Sequence, residues 1–409
     1  MLNEVCRCCG EKLNNVFLDL GVSPLANSYV KSENQMENVY PLRTYICEKC
    51  FLVQVQDYES PEHIFSDYAY FSSYSNSWLT HCQNYVENMM GKFHYTSETQ
   101  VVEIASNDGY LLQYFKEKGV SVLGIEPAEN VAKVAMSKGI ETSVNFFGTP
   151  IAKALKQKGK MADLLLGNNV LAHVPDLNDF VAGMKILLKP KGTITMEFPH
   201  LLRLIENNQF DTIYHEHYSY FSFSTVTRLF AQHQLSVYDV EQLSTHGGSI
   251  RIYASHSENP CFLTQASVHE LLDKEAKFGM KNIEMYRGFQ EKIEQLKRRI
   301  MKFLIELKDQ GKVIAGYGAP AKGNTLINYC GIDCDYLDFT VDRSQYKQGT
   351  FLPGSRIPVY SPEKLKLTQP DYVFILPWNL KDEIIEQTSF IREWGGKWIL
   401  PIPDIHIVE

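Results

Sequence analysis

The densest group of acid–base side chains in the sequence lies in FDTIYHEHYSYFS, which gathers Tyr214, His215, Glu216, His217, Tyr218 and Tyr220. Burying so many ionisable groups is costly, and packing alone gives no reason to collect them. Two histidines two residues apart diverge on a helix, so this is not the H-E-x-x-H of zinc proteases. An imidazole near neutral pH, oriented by a carboxylate, instead suits general-base chemistry; a solvated polar loop is the plainer alternative. Asp67-Tyr68-Ala69-Tyr70-Phe71-Ser72-Ser73 offers more hydroxyls, and THGGSIR (245–251) has a glycine pair that admits a ligand or closes a hairpin.

A second constellation follows the strand-like run VVEIA (101–105). Glu103 sits in the run, and Ser106, Asn107, Asp108 and Gly109 form a turn at its carboxyl end. In an open α/β sheet that end of the first strand is where ligands dock. Glu126 ends the next run, VLGIE (122–126), about twenty residues on, where an acid accepts hydrogen bonds from ribose hydroxyls. The turn lacks G-x-G-x-x-G, so a pyrophosphate would find no close backbone approach. The pattern favours a phosphate-free adenosine ligand, S-adenosylmethionine above all, and Glu103 and Asp108 suit its amino and sulfonium cations. Asn168, Asn169 and His173, in LGNNVLAHV, fall at the same sheet edge and are expected to face cofactor or substrate.

Cys6, Cys9, Cys47 and Cys50 make two pairs at C-x-x-C spacing. Each tight turn brings two thiolates to one ion, and two turns complete a tetrahedral zinc site. A redox disulfide or an iron–sulfur cluster are the alternatives. A four-thiolate site leaves no open position, which implies a structural role; Cys8 is expected to point away. Near the other end, GYGAPAKGNT (316–325) follows a strand and opens a helix, and Gly318 and Lys322 there would grip the diphosphate of a nucleotide sugar. A structural turn with a surface lysine competes with that reading.

The elements that must position these groups come in three textures. Residues 1–75 hold five of the nine cysteines and few long apolar runs. Residues 76–255 contain a helix, then VVEIA, VLGIE, DLLLG (163–167) and TITMEF (193–198), runs spaced as a βαβ series and apolar enough for burial on both faces. Residues 256–409 begin with a charged helix whose stripe is Ile293, Leu296, Ile300, Phe303 and Leu307, then repeat the pattern in KVIAGYG, FTVD, YVFIL and WIL, the last closing the chain. Both series read as doubly wound parallel sheets. The fold class expected is therefore α/β: an N-terminal zinc module, a central Rossmann-like methyltransferase domain and a second Rossmann-like αβ domain. Length alone, 409 residues, calls for two to three domains. A net charge of −8 argues against nucleic acid as partner, no run is long enough for a membrane span, and the start lacks a signal peptide, so a cytoplasmic protein is expected.

Taken as an ordered set, the paired C-x-x-C, E-I-x-x-N-D-G, N-x-L-x-H-x-P, Y-x-E-H, H-G-G and G-Y-G-x-x-A-K motifs resemble, over nearly the whole chain, the zinc-containing C-methyltransferases of nucleotide-linked 4-keto-6-deoxy sugars (tetronitrose C-3′-methyltransferase-like). The resemblance implies that Glu103, Asn107, Asp108 and Glu126 help hold S-adenosylmethionine. It implies that His217 is the base, with Tyr214, Glu216 and His173 around the sugar, and that Tyr68 or Tyr70 is the family's active-site tyrosine. Ala105 stands where many methyltransferases carry glycine. The expected partner is a nucleotide-diphosphate sugar, dTDP-linked or similar, bound by a monomer.

Overall fold

The computed structural model describes residues 4–60 and 72–409, in three sheets. Tyr68 and Tyr70 lie outside the described residues. Among the described residues no helix is long and apolar enough to cross a membrane.

The first sheet is antiparallel, built from Asn15–Ser23, Tyr40–Ile46 and Val53–Val55, with Ser219–Tyr220 added at its edge. That last strand comes from the central region, so the sheet is not confined to the first 75 residues. It begins two residues after His217, which ties the cysteine-bearing module to the histidine–tyrosine cluster. In Asn15–Ser23, Phe17, Leu18 and Leu20 are buried. Phe17 stacks on Phe289 with ring centroids 4.9 Å apart, so this sheet shares a core with the long helix Phe289–Asp309.

That helix buries Ile293, Leu296, Ile300, Leu304 and Leu307. The expected stripe named Phe303 in place of Leu304. From Ile300 a step of four keeps the stripe on the core face, and Phe303 stands half-buried at its margin. Leu304 is wholly buried. Leu304→Ala should therefore cost about 2–5 kcal/mol, read as a lower denaturation midpoint at unchanged m-value; a midpoint within error of the parent would contradict this packing.

The central sheet has seven strands. Its spatial order is Leu235–Leu243, Ser249–His256, Leu188–Pro199, Ala162–Asn168, Gln100–Ile104, Ser121–Ile125 and Thr142–Ser143. The strands from Leu188–Pro199 onward run parallel. Ser249–His256 inserts antiparallel between the other two, so this sheet is mixed rather than purely parallel. The H-G-G turn closes that hairpin, whose tight link permits an antiparallel return that a crossover helix would not.

The third sheet runs Val359–Tyr360, Phe339–Val341, Ile314–Tyr317, Tyr372–Ile375, Lys397–Leu400 and His406–Val408. All neighbours are parallel except the last pair. His406–Val408, not the strand at residues 398–400, is the last strand. Its side chains are mostly exposed, as suits an edge, so it lacks the apolar run that marks the others. In both αβ sheets the strand order reverses beside the first strand, and there the crevice for a ligand opens.

Candidate active site

The four cysteines predicted as ligands form one cluster, with all their Sγ atoms within 4.8 Å of one another. Each pair sits on a tight turn: the Gly10 amide donates to the Cys6 carbonyl at 2.8 Å, and that of Phe51 to Cys47 at 2.9 Å. Gly10 and Phe51 occupy equivalent left-handed positions, φ 74° and 59°. Cys6 and Cys50 lie 3.5 Å apart, as do Cys9 and Cys47. Four thiolates around zinc stand about 3.8 Å apart, so the quartet fits the ion. Cys8 is buried but outside it.

A cavity of about 530 Å³ lies where the crevices of the two αβ sheets meet. On the central-sheet side it is lined by Ala105, Asn107, Glu126, Asn168 and Asn169. The Glu126 carboxylate accepts the backbone amides of Asn107 and Ala128, each at 2.9 Å, and its remaining lone pairs can take ribose hydroxyls. Asn168 Nδ2 and Asn169 Oδ1 are buried with no hydrogen-bond partner among the described residues, as expected of groups that await a polar ligand. Ala105 has φ 57°, the left-handed region that explains why glycine is common at this position. S-adenosylmethionine fits this donor and acceptor set.

Three predicted cofactor ligands are not on the lining. Glu103 lies beside Cys82 and Tyr110, the latter itself on the lining, and burial pushes its carboxyl well above the usual range. Strand alternation puts Ile104, its neighbour, toward the cavity instead. Asp108 accepts from Ser73 and pairs with Lys138 at 3.6 Å. Gly109, at φ 76°, packs against Ile140, whose Cδ1 would lie 2.4 Å from any Cβ there. It serves helix packing.

Of the histidine–tyrosine cluster, Tyr214 and His217 line the cavity, with His173 beside them. His217 Nδ1 lies 2.9 Å from the Thr212 carbonyl, so that nitrogen carries the proton and Nε2 is the basic one. Tyr214 hydroxyl lies 2.8 Å from Nε2 and donates to it. The His173 and His217 rings stand 4.6 Å apart, and His173 Nδ1 donates to the Glu216 carbonyl at 2.7 Å. Burial holds His217 well below the ordinary imidazole range, with neighbouring His173 adding to the effect, and burial pushes His173 down to about 4. Both rings are neutral at pH 7. The Glu216 carboxylate does not orient the His217 ring and does not line the cavity; both its oxygens accept from Asn27 Nδ2, at 2.8 and 2.7 Å.

The third sheet supplies the opposite wall. Lys322, in the first turn of the helix Ala321–Cys330, lines the cavity and donates to Asn379 Oδ1 at 2.7 Å, its ammonium 4.8 Å from the Trp378 ring centre. Burial lowers its pKa, and Asp211 opposes that. Gly318 is not part of the lining: its amide donates to Val341, and its φ of 88° serves a close approach to Pro377.

Sequence reasoning missed several lining residues. Phe146 and Phe147 follow the third parallel strand and line the cavity; their position after that strand was a usable signal. His246, in the H-G-G turn, has φ 54° and lies 2.9 Å from Asn169. Asn27 and Lys347 also line the cavity, and neither stands in a motif.

Comparison with known proteins agrees with this layout. A family model described as a putative zinc binding domain matches residues 6–65, one described as a methyltransferase domain matches 82–240, and one described as a C-methyltransferase C-terminal domain matches 244–403. C-methyltransferase NovU of Streptomyces niveus is 35% identical over 413 residues, covering 99% of this chain and 97% of that one. A ubiquinone biosynthesis O-methyltransferase of Bartonella quintana is 29% identical over 96 residues, 23% of this chain and 39% of its own. The crystal structure of magnesium protoporphyrin IX methyltransferase (ChlM) from Synechocystis PCC 6803, with bound SAM, aligns with 44% of this chain and 79% of that one, at 14% identity and a TM-score of 0.34.

Proposed function

Because the chain belongs to the C-methyltransferase family and carries out S-adenosylmethionine-dependent C-methylation, we propose that its acceptor is a nucleotide-linked 4-keto-6-deoxy sugar, methylated at C3 through an enolate in deoxysugar biosynthesis. The observation that carries this reading is the neutral His217–Tyr214 pair, buried in a cavity shared by the cofactor edge and the Lys322 wall.

A sugar C–H becomes acidic enough to remove only beside a carbonyl, so C-methylation of a sugar calls for a ketone and a base. Thr212 fixes the His217 tautomer, which leaves Nε2 to take the C3 proton. The Tyr214 hydroxyl, released from Nε2 when the substrate arrives, turns toward the developing enolate oxygen and donates to it. His173, held by the Glu216 carbonyl, borders the same space. Tyr68 or Tyr70 is retained as a further active-site hydroxyl on the family resemblance. Asn107, Glu126, Asn168 and Asn169 would hold S-adenosylmethionine, whose sulfonium supplies an electrophilic methyl group when bound. Both partners confined to one cavity gain the proximity that in-line attack requires. Lys322 and Lys347, both on the lining, would bind the diphosphate. The cysteine quartet leaves no open coordination position for the reacting carbon.

The test is incubation with methyl-labelled cofactor and a panel of nucleotide-linked 4-keto-6-deoxy sugars, the product read by NMR. A new C–CH₃ at C3 is expected; an O–CH₃, or no acceptor in the panel, would overturn the assignment.

A further inference from the structure

Asn27 belongs to the cysteine-bearing module, far in sequence from the histidine–tyrosine cluster, yet it lines the cavity. Its loop is tied into the site twice. Asn324 Nδ2, two residues past Lys322, donates to the Ala26 carbonyl at 2.7 Å, and the Tyr29 hydroxyl donates to the Ala319 carbonyl. Asn27 Nδ2 meets both oxygens of Glu216, which is almost wholly buried.

That contact settles which way the amide faces. With Glu216 ionised its oxygens only accept, and the atom set against both of them is the Asn27 NH₂ donor. The remaining polar atom of the side chain, Oδ1, has no partner among the described residues and is not among the buried atoms that lack one, so it is left to the cavity. Burial pushes Glu216 up to about 7, and the Asn27 amide is the contact that pulls it back. The pair is mutually dependent: Asn27 favours the carboxylate, and the carboxylate orients Asn27.

We propose that Asn27 is a substrate-binding, specificity-determining residue whose amide oxygen, oriented by Glu216, accepts a hydrogen bond from a hydroxyl of the sugar. This rests on the sugar assignment above. A substrate with a donor at that position is preferred, and one with an acceptor there meets an oxygen that cannot flip to become a donor without breaking its bonds to Glu216. The cysteine-bearing module thereby contributes to acceptor choice.

The experiment is calorimetry of a dTDP-linked 4-keto-6-deoxyhexose, and separately of S-adenosylhomocysteine, against the full chain and its Asn27→Ala, Glu216→Gln and double variants. In Glu216→Gln the partner can donate as well as accept, so the orientation of Asn27 is released. Asn27→Ala should weaken sugar binding about 3- to 10-fold, the worth of one neutral hydrogen bond. Glu216→Gln should do the same, the double variant should be no worse than either single one, and cofactor-product affinity should stay put. Asn27→Ser provides the comparison if the alanine variant fails to fold. Unchanged sugar affinity in the Asn27 variants, or losses that multiply in the double variant, overturns the proposal alone. Absence of sugar binding by the parent protein overturns the sugar assignment and this proposal with it.

Discussion

Replacing His217 with asparagine is expected to lower turnover by about 10²–10⁴-fold, the usual contribution of a positioned general base. Asparagine is the informative choice because its NH₂ can still donate to the Thr212 carbonyl, as Nδ1 does now at 2.9 Å. What it lacks is the basic nitrogen at the Nε2 position. Asn107, Glu126 and Asn168, the residues proposed to hold the cofactor, belong to other segments, so affinity for S-adenosylmethionine should stay within about twofold of the parent by calorimetry, a change under about 0.5 kcal/mol. A loss confined to cofactor binding, or turnover that survives, would remove His217 from the role of base.

Cys50→Ser should have the second large effect, on the fold first and on catalysis through it. One ligand fewer breaks a closed four-thiolate site, and in small zinc domains the metal's binding energy is folding energy. Here the quartet is tied to the segment that carries His217. Arg7, inside the first cysteine turn, donates to the Val55 carbonyl at 2.7 Å and to the Tyr218 carbonyl at 3.3 Å. Gln54 bridges the Arg7 amide (3.1 Å) and Cys6 Sγ (3.3 Å), and its strand pairs with Ser219–Tyr220, just after His217. Loss of zinc should destabilise the chain by on the order of 3 kcal/mol or more. Turnover should fall with it although no thiolate touches the reacting carbon. Metal analysis and thermal melting check this; a variant without zinc that melts and turns over like the parent would show the quartet to be dispensable.

The main features of the fold were legible because each has a local cause. Apolar runs such as VVEIA and DLLLG mark strands covered on both faces, and two C-x-x-C pairs in one chain mark two turns that can share a metal. The same logic located the sheet edge that holds Asn107, Glu126 and Asn168. It failed where long-range packing decides. Glu103 shares the motif with Asn107 but is not on the cavity lining. Gly109 looked like a ligand turn and is a packing contact with Ile140. Glu216 follows directly on the cluster's first histidine, yet its carboxylate turns to Asn27, a partner no spacing rule connects to it. Ser219–Tyr220 is too short to announce itself as a strand and is made one by Val53 and Gln54. The wall carrying Lys322 was read as a phosphate turn from its own residues, but that it closes the methyltransferase crevice depends on the shared core of the first and third sheets.

Solvent exchange at the carbon beside the ketone tests the account most directly. With S-adenosylhomocysteine in place of the methyl donor and D₂O as solvent, the parent protein should move deuterium into C3 of its 4-keto sugar. His217→Asn should not. If C3 stays fully protonated under conditions where the same protein methylates the same sugar, or if both proteins exchange it equally, the enolate drawn by His217 does not exist.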